Sequence, residues 1–344
     1  MDIIYDDAQW KQANEAVKLM RDVFTEPGDE EGVARYRLWS AEEARERFLV
    51  GGEGMRGESV KGAVSYEAGS ISAYIFVVGV LKLCLERGLE LYTHTPVLKL
   101  EKTGEGDGEG WDVVTAKGTL KTKKVVCATN GYTAHLLPQF HTKIVPLRGQ
   151  VTAHRPGSSL PSEGLETTYS FIYANGYEYM IPRPPSSPFP NDIIIGGGLA
   201  RAKDEGLFEY GETDDSSLNP DISLYLRDTT ATYFGPTANW EEDHKEGRVR
   251  REWTGIMGYT PDGFPFVGEV PRMEGVWIAA AFQGHGMVFC WECGRALVGL
   301  VEGRSGEVGG WFPRGAFGVT GERLGRVFGG RLHTGAGEGV GVGE

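Results

Sequence analysis

The residues best suited to chemistry lie in the four-residue turn 283–286, which has the sequence Gln-Gly-His-Gly. An apolar run of strand length, residues 276–282, precedes the turn, and residues 287–302 have the pattern of a helix. The first N–H groups of a helix have no partner inside the helix and point outward from its end. Glycines beside those groups let a flat ligand approach the backbone closely. The turn is therefore predicted to form an anion or cofactor site.

A second glycine motif needs a different interpretation. Residues 52–57 satisfy the pattern G-x-G-x-x-G. This pattern binds a dinucleotide when it lies between a strand and a helix, with an acidic residue about 20 positions further on. Here a charged, helix-like segment precedes the motif, and residues 58–62 lack helical periodicity. We expect a glycine-rich surface loop. An enzyme that binds a nicotinamide cofactor through this loop is the least favoured alternative.

The spacing of the cysteines predicts no metal centre. Cys290 and Cys293 form a C-x-x-C pair, but a zinc site needs a second pair, and Cys84 and Cys127 are isolated. A redox-active pair belongs at the N-terminus of a helix, whereas this pair begins one turn inside the predicted helix. We therefore expect these thiols to serve the packing of that helix.

Composition limits the classes of partner. The 344 residues carry a net charge of −13, and 40% of them are hydrophobic. The chain is long enough for two domains, or for one domain with a large insertion. The negative charge argues against nucleic acid and anionic membranes as partners. A cytoplasmic location is expected, because the first residues have no signal-peptide pattern and the longest apolar stretch, residues 71–81, is too short to span a bilayer.

The elements that must position the turn alternate between helix and strand. Residues 71–87 have the pattern of an apolar helix, residues 89–126 that of a small antiparallel meander, and residues 125–131 that of a buried strand ending in a small-residue turn. This order predicts one edge of a doubly wound sheet. Residues 144–195 are predicted as mostly antiparallel strands, with Asn175-Gly176 as a hairpin turn.

Four segments carry a family resemblance, namely residues 124–132, 144–150, 255–268 and 277–287. In order and spacing they resemble the FAD-dependent oxidoreductases of the D-amino-acid oxidase class. That class includes glycine and sarcosine oxidases and amine oxidases of the γ-glutamylputrescine oxidase type. The resemblance covers roughly residues 62–302 and is closest to fungal-type members.

The resemblance implies an α/β (α+β) fold. It has a doubly wound sheet of the FAD/NAD(P)-binding type, incomplete at its N-terminus, and an inserted, mostly antiparallel substrate domain. The implied organisation is a helical segment packing on the substrate domain (1–60), the first part of the FAD-binding domain (61–145), the substrate or cap domain (146–250), the second part of the FAD-binding domain (251–303) and a glycine-rich, largely disordered tail (304–344).

The resemblance also implies cofactor contacts residue by residue. Val97 matches the strand residue that contacts adenine, and the other matches fall into three groups. They are Ala128, Thr129, Asn130 and Gly131 near the ribose and pyrophosphate; Asp262, Gly263 and Phe264 beside the isoalloxazine; and Gln283, Gly284, His285, Gly286 and Met287 near the pyrimidine edge of the flavin. The positive helix end in the last group would stabilise an anionic reduced flavin.

Catalytic roles are implied only for candidates. His285 is either a flavin neighbour or a hydrogen-bonded structural histidine, and Arg148 either reaches the site or anchors the domain junction. Tyr177, Tyr179 and Met257 are candidates for the substrate pocket, although aromatic residues of a hairpin also serve sheet packing. No acid–base dyad is required, because the flavin carries the redox chemistry.

Two departures from the family pattern change the expectation. The family opens with a strand, a G-x-G-x-x-G turn, a helix and an acidic ribose ligand, and we expect this chain to begin after that unit. We therefore expect a truncated chain in which the ADP half of FAD loses its main phosphate cradle, so that this chain alone binds FAD poorly. Second, Met257 occupies the place of an arginine that holds the substrate carboxylate in amino-acid oxidases of the class. A primary or secondary amine therefore fits better than an α-amino acid.

These features predict an FAD-dependent oxidoreductase that oxidises the C–N bond of a small amine or amino-acid-like substrate by hydride transfer to the flavin. O2 or another electron acceptor would complete the reaction, and no nucleic acid, membrane or metal is expected to take part. The alternative is a non-catalytic remnant, or a binding protein of the same fold without tight FAD.

Overall fold

The computed structural model describes residues 1–24, 35–51, 53–104, 109–157, 160–234 and 246–328. The chain forms two compact units. The first unit comprises Met1–Ser70, Gly149–Leu207 and Asp215–Gly255, and the second comprises Ile71–Arg148, Phe208–Asp214 and Ile256–Glu344.

Strands and helices alternate irregularly over the described residues. The strands are β1 (Asp2–Ile4), β2 (Arg37–Ser40), β3 (Gly62–Ser65), β4 (Val97–Thr103), β5 (Gly110–Thr115), β6 (Gly118–Thr122), β7 (Val125–Cys127), β8 (Val145–His154), β9 (Tyr169–Ile172), β10 (Tyr177–Pro182), β11 (Ile193–Gly196), β12 (Val249–Tyr259), β13 (Phe266–Glu269) and β14 (Val276–Ala280). The helices are α1 (Asp7–Val23), α2 (Ala41–Phe48), α3 (Ala73–Glu86), α4 (Thr133–Leu136), α5 (Pro220–Phe234), α6 (Gly286–Val301), α7 (Ser305–Gly309), α8 (Arg314–Phe317) and α9 (Gly321–Gly325).

A mixed sheet of eight strands, in the order β12-β8-β11-β10-β9-β1-β3-β2, forms the base of the first unit. β11 pairs antiparallel with β8 and β10, and β10 pairs antiparallel with β9, whereas β1 lies parallel to β9. The predicted hairpin joins β9 to β10, and Gly176 adopts a φ of 88° that its missing side chain permits. The mostly antiparallel insertion expected from the sequence is present.

Helix α5 packs into the core of the first unit. The Asn219 side chain accepts a hydrogen bond from the Asp221 N–H at 3.0 Å, which satisfies one free donor at the helix start. Leu226 is fully buried, and the Tyr233 ring stacks on Phe171 with centroids 3.6 Å apart. Burial of such apolar and aromatic area is the main stabilising contribution of this helix.

The N-terminal segment contains strands that the sequence prediction missed. The helical character expected there is present: Asp6 caps α1, and Ser40 and Glu43 form a capping box at the start of α2. However, β1 and β2 also belong to the large sheet, although each is only three or four residues long. Gly52 of the G-x-G-x-x-G motif lies outside the described residues. The rest of the motif forms a turn closed by a bridge between Glu53 and Ser59.

The second unit contains two small sheets. One has the order β13-β14-β7, with β14 parallel to β7 and antiparallel to β13, and the other is the antiparallel meander β4-β5-β6. One detail of the predicted meander was wrong, because residues 89–94 form no strand. The strand predicted to begin at Val125 is β7, which follows β6. The Thr122 hydroxyl bonds both backbone polar groups of Lys124, which forms a local turn between the two strands.

The C-terminal segment differs from the predicted disorder over residues 305–325. Three short helices, α7, α8 and α9, lie there. Val308, Phe312 and Phe317 are buried against Cys293 and Leu297 of α6, so the few apolar residues among the glycines suffice to form a small core. The glycine-rich residues 329–344 lie outside the described residues. No helix in the described part of the chain combines the length and the apolar composition needed to cross a bilayer.

Candidate cofactor site at the start of helix α6

The turn between β14 and α6 holds an unusual backbone. Ala281, Gln283 and Gly284 have φ angles of 65°, 54° and 77°. For a residue other than glycine, this left-handed conformation costs on the order of 1–2 kcal/mol. Such residues persist only where surrounding contacts hold them, and they concentrate at functional sites. The Gln283 N–H donates to the Gly258 carbonyl at 3.1 Å, which is one of these contacts.

Asn130 provides a second contact. It follows the end of β7, has a φ of 44°, and its Oδ1 accepts hydrogen bonds from the N–H groups of Ala281 at 2.9 Å and Phe282 at 3.4 Å. The ends of two parallel strands, β7 and β14, are thereby joined through one side chain. At the next residue, Gly131, a Cβ would lie 2.5 Å from the Met257 carbonyl oxygen. The small-residue turn predicted here is therefore needed for close backbone approach.

Helix α6 begins directly after this turn. The His285 carbonyl accepts from the N–H groups of Val288 and Phe289, as expected at the first turn. The N–H groups of Gly286 and Met287 come too early to reach a carbonyl of the same helix. Together these groups carry the positive end of the helix dipole, equivalent to roughly half an elementary charge.

A cavity of about 1040 Å³ opens beside these N–H groups. Six of the residues predicted for the site line it, namely Ala128, Asn130, Met257, Gly284, Gly286 and Met287. Apolar side chains of α3 and α6 provide most of the remaining wall, and the rings of Phe76 and Trp291 lie 5.9 Å apart between centroids. Ligand cavities typically measure roughly 300–1,000 Å³, so this one can hold a three-ring cofactor.

The other predicted residues of the second unit are not among those that line the cavity. Thr129 bonds the hydroxyl of Thr133 at 2.9 Å, and His285 places Nδ1 2.9 Å from the Gln283 carbonyl. Asp262, Gly263 and Phe264 form a loop between β12 and β13. Val97 is the first residue of β4 and pairs with Thr115 beside a β-bulge.

Arg148 makes an ion pair at the end of the second unit's first segment. Its Nε donates to Glu209 Oε2 at 2.7 Å, and its Nη1 donates to the Asp214 carbonyl at 3.1 Å. The side chains of Arg148 and Glu209 are 12% and 4% exposed. Whether Arg148 reaches the site or anchors the domain junction stays a prediction.

Tyr177 and Tyr179 lie on β10 in the first unit. They alternate with buried Glu178 and Met180, and remain 53% and 38% exposed. The Tyr179 ring covers Gly196 of the neighbouring strand β11, where a Cβ would lie 2.4 Å from the ring. This contact is sheet packing, and a role in a substrate pocket stays a prediction for both tyrosines.

The thiols near the site are poor nucleophiles. Cys290 lines the cavity, and burial raises the pKa of its thiol. Burial raises the pKa of Cys293 to about 11, so it is protonated at neutral pH. Among the described residues, no group of three or more His, Cys, Asp or Glu side chains could hold a metal ion.

Two residues that bond the turn 283–286 and the loop 262–264 were not predicted from the sequence. Thr260 bonds Gln283, and Arg323 bonds Asp262 from 61 positions away. The residue type of Thr320 could have indicated the start of α9, because threonine is a favoured N-cap residue. In the structure Thr320 accepts a hydrogen bond from the Arg323 N–H at 3.2 Å. The long-range pairing of Arg323 had no signal in the spacing.

Residues 4–300 match the sequence profile of the family described as "DAO: FAD dependent oxidoreductase". The chain belongs to this family. The cofactor of the family is FAD, and the α/β fold expected from the sequence agrees with it.

The chain is also similar to individual curated proteins and solved structures. A probable oxidoreductase OrdL of Rhizobium meliloti is 27% identical over 242 residues, which cover 70% of this chain and 49% of that protein. Glycine oxidase of Geobacillus kaustophilus is 23% identical over 293 residues, 83% of this chain and 69% of that protein. The chain spans about half the length of OrdL and of Pseudomonas aeruginosa glycine oxidase.

The solved structure of G. kaustophilus glycine oxidase matches with a TM-score of 0.65, covering 88% of this chain and 70% of that one at 22% identity. The structure of L-proline dehydrogenase from P. horikoshii matches with a TM-score of 0.64, covering 87% of this chain and 71% of that one at 21% identity. At these identities the likeness establishes the fold.

The cavity of this chain fits one part of FAD better than the other. Its apolar walls and the N–H groups at the start of α6 suit a flat ring whose edge carries negative charge. Among the described residues that line the cavity, Glu302 alone carries a charge, and it is negative. A diphosphate prefers cations and clustered N–H donors, so these lining residues fit the isoalloxazine but offer little to the pyrophosphate.

Proposed function

We propose that this chain forms the flavin-contacting part of an oxidoreductase that oxidises the C–N bond of a small amine. The observation that carries the proposal is the turn 281–286. Three residues of this turn have a left-handed backbone, and the start of α6 lines a large apolar cavity together with Asn130. Bound FAD would supply the redox chemistry by accepting a hydride from the carbon next to the nitrogen.

The residues of this chain would stabilise negative charge on the flavin ring and exclude water from the cavity. The N–H groups of Gly286 and Met287, together with the helix dipole, would stabilise negative charge that develops at the edge of the ring. The apolar side chains of α3 and α6 would exclude water and favour an uncharged amine. His285 would hold the turn through the contact of its Nδ1 with the Gln283 carbonyl, which does not require it to exchange a proton with substrate.

The substrate class follows from the cavity wall. Glycine oxidase and L-proline dehydrogenase are named for amino-acid substrates, which makes amino acids the first class to test. Met257 lines the cavity, however, and a thioether cannot form the paired hydrogen bonds that an arginine gives to a carboxylate. We therefore infer a primary or secondary amine without a carboxylate at the reacting carbon. O2 or another electron acceptor stays a prediction.

A flavin titration tests the proposal. Purified protein is mixed with FAD, and the visible flavin band and flavin fluorescence are followed. The complex is then mixed under anaerobic conditions with a panel of amines and α-amino acids. We expect saturable FAD binding and bleaching of the flavin band by amines. A complex bleached only by α-amino acids would overturn the substrate class, and a protein without saturable FAD binding would overturn the proposed activity of this chain.

The variant Met257→Arg sharpens the test. Arginine at this position could form two parallel hydrogen bonds to a substrate carboxylate. The ratio of reactivity with α-amino acids to that with amines should therefore rise by about tenfold or more. Met257→Leu is the matched control, because it keeps the apolar wall and should keep the amine preference.

One observation favours the alternative of a binding protein without tight FAD. The residues that line the cavity offer no cation to a pyrophosphate. In that case a ring compound without phosphates, such as riboflavin or lumiflavin, would bind as tightly as FAD. The fungal-type relationship and the missing N-terminal βαβ unit stay predictions.

A further inference from the structure

Arg323 is a buried cation that bonds the loop between β12 and β13. It lies on α9, after the last residue of the family match, and its side chain is 4% exposed. Nε and Nη2 donate to the two oxygens of Asp262 at 2.7 and 2.9 Å, and Nη2 also donates to the Phe264 carbonyl at 2.8 Å. Nη1 donates to the carbonyls of Pro265 at 2.9 Å and Gly318 at 3.1 Å. All five donors of the guanidinium are therefore used.

Asp262 connects this cation to the site loop. Its side chain is 6% exposed, and its Oδ1 also accepts from the Phe264 N–H at 3.2 Å. Burial by itself would raise the pKa of Asp262, but the hydrogen bonds from Arg323 and Phe264 outweigh it and lower the pKa. The carboxylate is thus ionised and held between two parts of the chain.

Thr260 and Gln283 continue the connection to the turn. The Thr260 hydroxyl lies 3.0 Å from Asp262 Oδ1 and accepts from Gln283 Nε2 at 2.7 Å. Gln283 is 7% exposed and has the left-handed backbone described above. Its Nε2 also lies 3.3 Å from the Ala281 carbonyl, which ties its side chain to the start of the turn.

We infer that Arg323 is a positioning residue. Through Asp262, Thr260 and Gln283 it holds the strained turn 281–285, and with it the N–H groups that start α6. The expected effect on flavin affinity rests on the proposed function. The positioning of the turn by Arg323 does not. A buried carboxylate left without its partner would draw water or move, and the left-handed residues would lose the contacts that compensate their strain.

Hydrogen exchange of the protein without cofactor tests the inference. Exchange of backbone amides is measured by mass spectrometry on peptides that cover residues 276–290, for wild type, Arg323→Lys and Thr260→Val. In both variants we expect exchange in the turn to be faster by on the order of tenfold, since each loses a buried hydrogen bond. Peptides from α3 and β5 should be unchanged.

Arg326→Gln is the matched control. Arg326 lies on the same segment and contacts Asp262 at a longer 3.4 Å, but its side chain is 47% exposed. Its replacement should leave the turn unchanged. Thr260→Val keeps the Arg323–Asp262 pair but removes the hydroxyl that connects Asp262 to Gln283. Unchanged exchange in this variant would therefore overturn the inference even if Arg323→Lys fails to fold.

Exchange at the wild-type rate in residues 281–288 of folded Thr260→Val, or a uniform increase over the whole second unit, would overturn the inference. FAD titration is the second readout. Arg323→Lys and Thr260→Val should raise the Kd severalfold, and Arg326→Gln should not. If the wild-type chain binds no FAD, the proposed function fails, while the exchange result still decides whether Arg323 positions the turn.

Discussion

Helix α3 is mostly apolar but exposed, whereas helix α5 is more polar but largely buried. They have nearly equal lengths, 14 and 15 residues. α3 is almost entirely apolar, yet none of its residues is buried. α5 contains many polar residues, yet it buries seven: Ile222, Ser223, Leu226, Thr229, Thr230, Tyr233 and Phe234.

The difference teaches that burial depends on what is packed against a helix. α5 lies against the aromatic and aliphatic core of the first unit, where even its threonines find partners. α3 presents its side chains to the cavity beside α6 and to solvent, with Tyr74 79% and Ile75 61% exposed. Exposed apolar surface of this extent is typical of a binding surface, which agrees with a role for α3 in the cavity wall.

Two leucines give the largest expected contrast. Leu226 of α5 is fully buried, and Leu83 of α3 is 50% exposed. We expect Leu226→Ala to lower the free energy of unfolding by about 2–5 kcal/mol, because it leaves a cavity in the core. Leu83→Ala should change it by no more than about 0.5 kcal/mol. Urea unfolding followed by tryptophan fluorescence measures both, and equal effects would break the comparison.

A buried histidine makes the α5 side sensitive to acid. His154 is fully buried, with Nδ1 2.9 Å from the Thr230 hydroxyl of α5 and Nε2 2.9 Å from the Thr152 hydroxyl. Burial, helped by the charge of Arg248 and opposed by that of Glu252, lowers its pKa to about 4.

The sign of the pH dependence follows from this lowered pKa. An unfolded histidine has a pKa of about 6.5, so the unfolded state binds the proton first as the pH falls. The stabilisation is complete above pH ~6.5 and is lost toward pH ~4, by up to about 3 kcal/mol. His154→Gln should flatten the unfolding free energy in this window. An unchanged slope in that variant would contradict the assignment.

Replacing Gly131, in the turn after β7, should destabilise the protein more than replacing a glycine with space around it. Gly131→Ala would place a Cβ 2.5 Å from the Met257 carbonyl oxygen, so the backbone must shift. We expect a loss of about 1–3 kcal/mol in unfolding free energy and weaker FAD binding. Gly286→Ala is the control for stability, because its Cβ would meet Cys290 Sγ at an ordinary 3.4 Å. Thermal melts compare the stabilities of the two variants, and equal losses would refute the argument from close approach. An FAD titration of Gly131→Ala measures the change in affinity.

Local patterns predicted several elements of the fold, including two that flank the candidate site. The start of α6, the end of β7 and the hairpin at Asn175-Gly176 all follow from residue types within a few positions of each other. These features depend on short-range sterics and hydrogen bonds, so neighbouring residues suffice to define them.

The missed features depend on distant partners. Arg323 meets Asp262 across 61 positions, and the helices of residues 305–325 form because Phe312 and Phe317 reach α6. The exposure of α3 could not be predicted from its apolar composition. Hydrophobicity indicates that a helix can be buried, but it does not identify the element that would cover it.

Two helical glycines give the smallest contrast. Gly79 of α3 faces open space, so Gly79→Ala should raise the free energy of unfolding by about 0.5–1 kcal/mol through helix propensity. Gly299 of α6 is buried, and a Cβ there would lie 2.6 Å from Val308 Cγ2. Gly299→Ala should therefore lose about 1 kcal/mol or more, because overpacking outweighs the propensity gain. Paired chemical denaturation of the two variants measures the difference. If Gly79→Ala also destabilises the protein, α3 is packed more closely than its exposure indicates, and the contrast with α5 no longer holds.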